Sequence, residues 1–167
     1  MPDKIIFDTT VISNYLLSDA GSVISNYYKT RGIITREVYD ELAAGRRTTP
    51  VLQNIDHCIG LRKFELISLS KKEHEFYISL LDSLGKGEAS CIAFAKYSGG
   101  VVATDDKAVR RICDSFKIPV TGTIGILVML CREGHTSIDS ADALLSKMIH
   151  NGFYSPVRRI SELFTIK

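Results

Sequence analysis

The sequence has no apolar run near the ~20 residues needed to span a bilayer, which excludes a membrane-crossing helix. It opens without the charged-then-apolar leader of a secretory signal, MPDKIIFDTT passing at once into a strand-like run. A cytoplasmic protein with no membrane partner is expected. Cysteine is sparse: Cys58, Cys91, Cys113 and Cys131 stand far apart, with no Cys-x-x-Cys pair. That spacing argues against zinc ligation and redox chemistry. Cys91 and Cys131 fall inside apolar helical patterns, where a thiol serves as a small hydrophobe. No charge of one sign dominates either. The 21 basic and 19 acidic residues leave a net charge of +2, which neither demands nor excludes a nucleic-acid partner. Repeats, low-complexity segments and linkers are lacking as well. What is present is a globular balance, 45% hydrophobic and 24% charged over 167 residues, enough to bury a sizeable core. One domain over residues 1–167 is expected.

Residues 85–106, GKGEASCIAFAKYSGGVVATDD, organise the chain. A glycine-rich lead-in precedes an amphipathic helix over about 88–97, a Gly-Gly turn and a short buried strand over 101–104. That strand ends on two adjacent carboxylates, Asp105 and Asp106. In an open α/β sheet, ligands and chemistry collect just past the carboxyl ends of strands. Glu88, in the first turn of its helix, can face acids gathered there.

The remaining chain supplies them. Residues 4–7 read as a central parallel strand ending on Asp8, with a helix starting at Asp8 or Thr9. A further helical stretch covers 21–30, and 32–34 is a second strand. Thr35 caps the helix REVYDELAAG, in which Glu41 lies toward the sheet and Glu37 on an exposed face. A helix follows over about 50–58, then a strand over 64–69. The helix over 70–83 shows Phe76, Ile78, Leu80 and Leu81 as its apolar face, with His74 at the surface. Residues 107–116 form the helix after the acidic pair, and 118–120 a last strand. Then come a strongly apolar helix over 124–131 and another over 139–150, with Ala143, Leu144, Met148 and Ile149 inward. A final helix starts at Ser155-Pro156. This order predicts an α/β fold, a three-layer α/β/α sandwich around a mostly parallel sheet.

Asp8, Glu41, Glu88 and Asp106 thus fall at matching places. Each has a bland explanation alone, Asp8 as an N-cap above all. Together they are costly unless something cationic sits among them.

In these pieces, IIFDTTVIS, ITREVYDEL, GKGEASCIAFAK and VVATDDKAVRRI, the chain resembles the PIN-domain nucleases, which include VapC-type toxins and RNA-processing enzymes. The likeness continues through TGTIGILVMLCREG to GFYSP, placing it near a prokaryotic subgroup with a TGT-x-G-x-L closing segment. The resemblance covers nearly the whole chain, and the ordered series of four motifs is specific where no single motif is. It implies Asp8, Glu41, Glu88 and Asp106 as the catalytic quartet, with the Thr-x-Asp spacing selecting Asp106 and pairing it with Thr104. Asp105 is a metal ligand, a supporting group or a solvated acid. Two departures stand out: Thr10 occupies a position where many relatives carry Asn or Ser, and Glu88 one where many carry Asp.

Oxygen-only ligands favour Mg2+ or Mn2+ over zinc. Such ions can activate water and stabilise charge on a scissile phosphate. Asp8 and Asp106 are then the principal ligands and Glu88 assists, with Glu41 holding a water or a second ion. Thr9 and Thr104 are candidates to hydrogen-bond a ligand or the phosphate, and Lys86 and Arg36 to meet the substrate backbone. The expectation is a metal-dependent endoribonuclease, the toxin of a VapBC-type toxin-antitoxin system. The resemblance also implies a small antitoxin partner and a homodimer. The alternatives are a non-toxin RNA-processing nuclease and a non-catalytic RNA-binding module. A haloacid-dehalogenase reading requires an Asp where Thr10 stands. A phosphate-loop reading of GKGEAS lacks the Gly-x-x-x-x-Gly-Lys-Ser/Thr pattern.

Overall fold

The computed structural model describes residues 4–164. Strand β1 (Ile5–Phe7) leads into α1 (Thr9–Leu17) and α2 (Gly21–Tyr27). Then follow β2 (Gly32–Thr35), α3 (Arg36–Gly45), a 3-10 turn (Pro50–Gln53), α4 (Asn54–Gly60) and β3 (Phe64–Ile67). Next in order are α5 (Lys71–Leu80), α6 (Lys86–Ser98), β4 (Val101–Ala103) and α7 (Lys107–Ser115). Strand β5 (Val120–Thr121), α8 (Thr123–Arg132), α9 (Ile138–His150) and a 3-10 turn (Ile160–Leu163) close the described chain.

Among the described residues the five strands form one sheet in the order β3-β2-β1-β4-β5, with every pairing parallel. This is the α/β architecture the sequence predicts. Ile5 pairs with Gly32 on one side and Val101 on the other. Strand β1 is therefore central, and Ile5, Ile6 and Phe7 are buried at 2% exposure or less. A short, wholly apolar run suits such a place because both faces of a parallel strand are covered. From β1 the chain winds outward to β3, then returns to the other side of β1 through β4. That reversal falls at the carboxyl ends of β1 and β4, the usual place for a ligand in an open parallel sheet. Among the described residues no helix is long and apolar enough to cross a membrane.

Four expectations need correction. The last strand forms at Val120–Thr121, starting two positions later than expected: Pro119 has no N–H to give, and it contributes its carbonyl, which accepts from Val102 N at 2.9 Å. The buried stripe of α5 is Glu73, Tyr77 and Leu80, while Ile78 is 55% exposed. In α9 the buried residues are Ala141, Leu145 and Met148, and Ala143 and Ile149 face outward. Both helices are apolar on more than one face, so the sequence alone leaves their rotation open. No helix starts at Ser155. There the Ser155 hydroxyl takes the Val157 amide at 3.3 Å, and Asp142 of α9 accepts from both the amide and hydroxyl of Ser161. These local side-chain bonds replace a helical ladder.

Candidate active site

Asp8 follows β1 directly. Its N–H donates to Ala103 O at 3.0 Å, which carries the β1–β4 ladder one step past the strands and sets Asp8 beside Thr104. Asp8 holds the N-cap position of α1, yet its side chain makes no capping bond. The carboxylate instead accepts from Thr104 Oγ1 at 3.0 Å, and the residue is 3% exposed. Capping therefore does not explain this acid. Its pKa is raised to about 7. Burial is the largest cause; the Thr104 hydroxyl opposes it, the charge of Glu88 adds to it, the Thr9 amide opposes it, and the charge of Glu41 adds again.

Glu41 ties three helices together. One carboxylate oxygen accepts from the Thr9 hydroxyl of α1, and the other from Gly87 N of α6 at 2.8 Å. Gly87 permits that approach, because a Cβ there would lie 2.6 Å from Glu41 Oε2. Glu88, in the first turn of α6, turns back to accept from Gly85 N at 3.0 Å. Lys86 and Arg36, each the first residue of its helix, are exposed.

The adjacent acids after β4 divide between two helices. Asp106 caps α7, its Oδ1 accepting from Ala108 N at 2.6 Å and Val109 N at 2.9 Å. Asp105 serves α8, its two oxygens accepting from Thr123 N at 2.9 Å and Thr123 Oγ1 at 2.6 Å. Thr104 links the first acid to the last. Its hydroxyl donates to Asp8 and accepts from Asp106 N at 3.2 Å.

The structure therefore joins Asp8 to Asp106 through Thr104 and brings Asp8 within the electrostatic reach of Glu88 and Glu41. It turns both Asp105 oxygens toward α8. Sequence reasoning passed over Glu37, read as a solvated-face residue. Glu37 is half-buried, with Oε2 enclosed and unpartnered, one turn from Glu41. The four-residue spacing from Glu41 was the available signal.

Among the described residues no Lys or Arg forms an ion pair with Asp8, Glu41, Glu88, Asp105 or Asp106. Nor do three acids, imidazoles or thiols there form a ready set of metal ligands. The donor chemistry nonetheless fits a hard divalent cation: every donor is oxygen, and buried Asp8 has no positive charge to offset its own. Among curated proteins none matches the chain. A family model described as a PIN domain matches residues 4–165.

Proposed function

This chain belongs to the PIN-domain family, generally nucleases, and from that premise we propose that it is an endoribonuclease hydrolysing RNA phosphodiester bonds with Mg2+ or Mn2+. The observation that carries the reading is Asp8: a buried acid, raised to about 7, with no cation of the protein's own beside it. A hard divalent cation held there supplies water activation and neutralises charge on the scissile phosphate. Asp8 and Asp106 hold it, with Glu88 assisting and Asp105 in a supporting place. Thr104 keeps Asp8 and Asp106 in register through its one hydroxyl. Glu41 orients Thr9 and the start of α6, and in this reading Thr9, Lys86 and Arg36 meet the substrate backbone.

The test is cleavage of a panel of RNAs in Mg2+, Mn2+ or chelator. Asp8→Asn and Asp106→Asn are expected to lose at least about a hundredfold in rate, as removal of a charge-stabilising group does. Cleavage by Asp8→Asn at the wild-type rate sinks the proposal. One observation favours a second reading, a non-catalytic RNA-binding module: Asp105 and Asp106 are both engaged as helix caps. That module binds RNA in chelator and never cuts it in metal.

Extended to biology, the proposal is that the chain is the toxin of a VapBC-type pair, held by a small antitoxin and working as a homodimer. The resemblance to VapC-type toxins supports this extension. Expression of the wild type then arrests growth and Asp8→Asn does not, while sedimentation reports the dimer.

A further inference from the structure

The segment after α9 carries an aromatic with no folding role. Tyr154 is 95% exposed, the most exposed of the large hydrophobic side chains among the described residues. It stands on a pinned stretch of backbone. Phe153 N donates to Met148 O at 2.9 Å, and the Phe153 ring packs on the core. Beyond it, Ser155 Oγ donates to Val157 O at 2.5 Å.

Tyr154 and Phe153 line a cavity of about 360 Å³ together with Lys107, Arg110 and Asp105. Ligand pockets run from roughly 300 to 1,000 Å³, so this one suits a single nucleotide. Neither Lys107 nor Arg110 makes an ion pair among the described residues. Arg110 Nη2 donates to Thr121 O at 2.9 Å, which leaves the other guanidinium donors for a ligand. Asp105 is the one acid of the wall, and both its oxygens already accept from Thr123. Gly122 also lines the cavity; a Cβ there would lie 2.5 Å from both Arg110 Nη2 and Asp105 Oδ1, so glycine lets these two side chains pack there.

Two cations outside any ion pair, lining one cavity with an exposed aromatic, suit an unpaired nucleotide, phosphate on the cations and base on the ring. A base inside a duplex has both faces stacked and cannot lie on Tyr154. We propose that this cavity is a nucleotide subsite, one residue away from Asp106, in which Lys107 and Arg110 take a phosphate and Tyr154 stacks the unpaired base. The subsite deepens the nuclease reading above and rests on it for the place of the cut, though not for binding.

The experiment measures binding in chelator by the full chain, with no cleavage involved. The probes are a short labelled single-stranded RNA, the DNA of the same sequence, and the RNA annealed to its complement. The wild type is expected to prefer a single strand to the duplex. Tyr154→Ala weakens that binding about tenfold, within the range for loss of one base–aromatic stack, while Tyr154→Phe retains it. Lys107→Ala lowers the salt slope of log K by about 0.7, the effect of one phosphate contact on a single strand. Dependence on Tyr154 with either RNA or DNA supports the subsite and names its source. Duplex bound as well as single strand, or Tyr154→Ala binding both single strands like the wild type, overturns it; the second result returns the cavity to a protein partner. Because Tyr154 is exposed, its variants are expected to melt with the wild type. A protein that binds this way but never cuts has lost the nuclease reading and kept the subsite.

Discussion

Asp8 sets how the folded state responds to protons. Its carboxyl ionises near 7 in the fold and near 3.8 in an ordinary environment. Over that window the unfolded chain is ionised while the native chain holds the proton, so metal-free stability falls as pH rises from about 4 to about 7. The loss amounts to about 4 kcal/mol. Asp8→Asn, which cannot ionise, is expected to melt higher than the wild type at pH 8 in chelator and to converge with it near pH 4. Thermal melts across pH check this, and equal curves at pH 8 would show that burial of Asp8 carries no charge penalty. Thr104→Val keeps the shape and deletes the hydroxyl that stabilises ionised Asp8. It should move the acidic limb of any pH–rate profile upward and cost about 1–3 kcal/mol of stability. The position of Asp8 was legible because an apolar run ends on it. That its carboxylate makes no capping bond to α1 was not, since side-chain direction depends on Thr104, which is 96 positions away in the chain.

Helix α5 shows what periodicity leaves open. Glu73 is 4% exposed and sits in the stripe that faces α6, a place the apolar pattern assigned to other residues. It accepts from Ser98 Oγ and Ser70 N, each at 2.7 Å. Burial pushes its pKa up, but the Ser98 hydroxyl, the amide and hydroxyl of Ser70 and the charge of Lys4 outweigh it, leaving the carboxyl below its usual value. A depressed pKa contributes stability above the unfolded value, lost as pH falls through the folded one. Glu73→Gln is therefore expected to unfold at lower denaturant near pH 7, by about 1–3 kcal/mol, and to lose less than the wild type on acidification. A chemical denaturation series at both pH values checks it. Strands β1 and β2 and the Thr35 cap were readable because each is a local matter of a few residues. The rotation of α9 and the irregular path after Gly152 depend on neighbours, Asp142 above all.

For the whole molecule, the site exists only when the sheet is closed. Asp8, Glu41, Glu88 and Asp106 come from the β1 end, α3, α6 and the β4 end, brought together by the central position of β1. The order of elements made those strand ends readable from sequence; the division of Asp105 and Asp106 between two helices required the structure. Divalent cation that binds the native chain alone raises its melting temperature by mass action, by about 2.7 kcal/mol at a hundred times Kd. For a domain of this size that is roughly 5–10 °C. Mn2+ at pH 8 is expected to give such a shift in the wild type and little of it in Asp8→Asn, as read by calorimetry.

The sharing out of the acids after β4 also has a mechanical meaning. Asp106 grips the first turn of α7, Asp105 grips the first turn of α8, and a single peptide unit joins them. The pair is a yoke. Sliding of one helix against the other loads that link, next to Thr104, together with the bond from Arg110 of α7 to Thr121 O just ahead of α8.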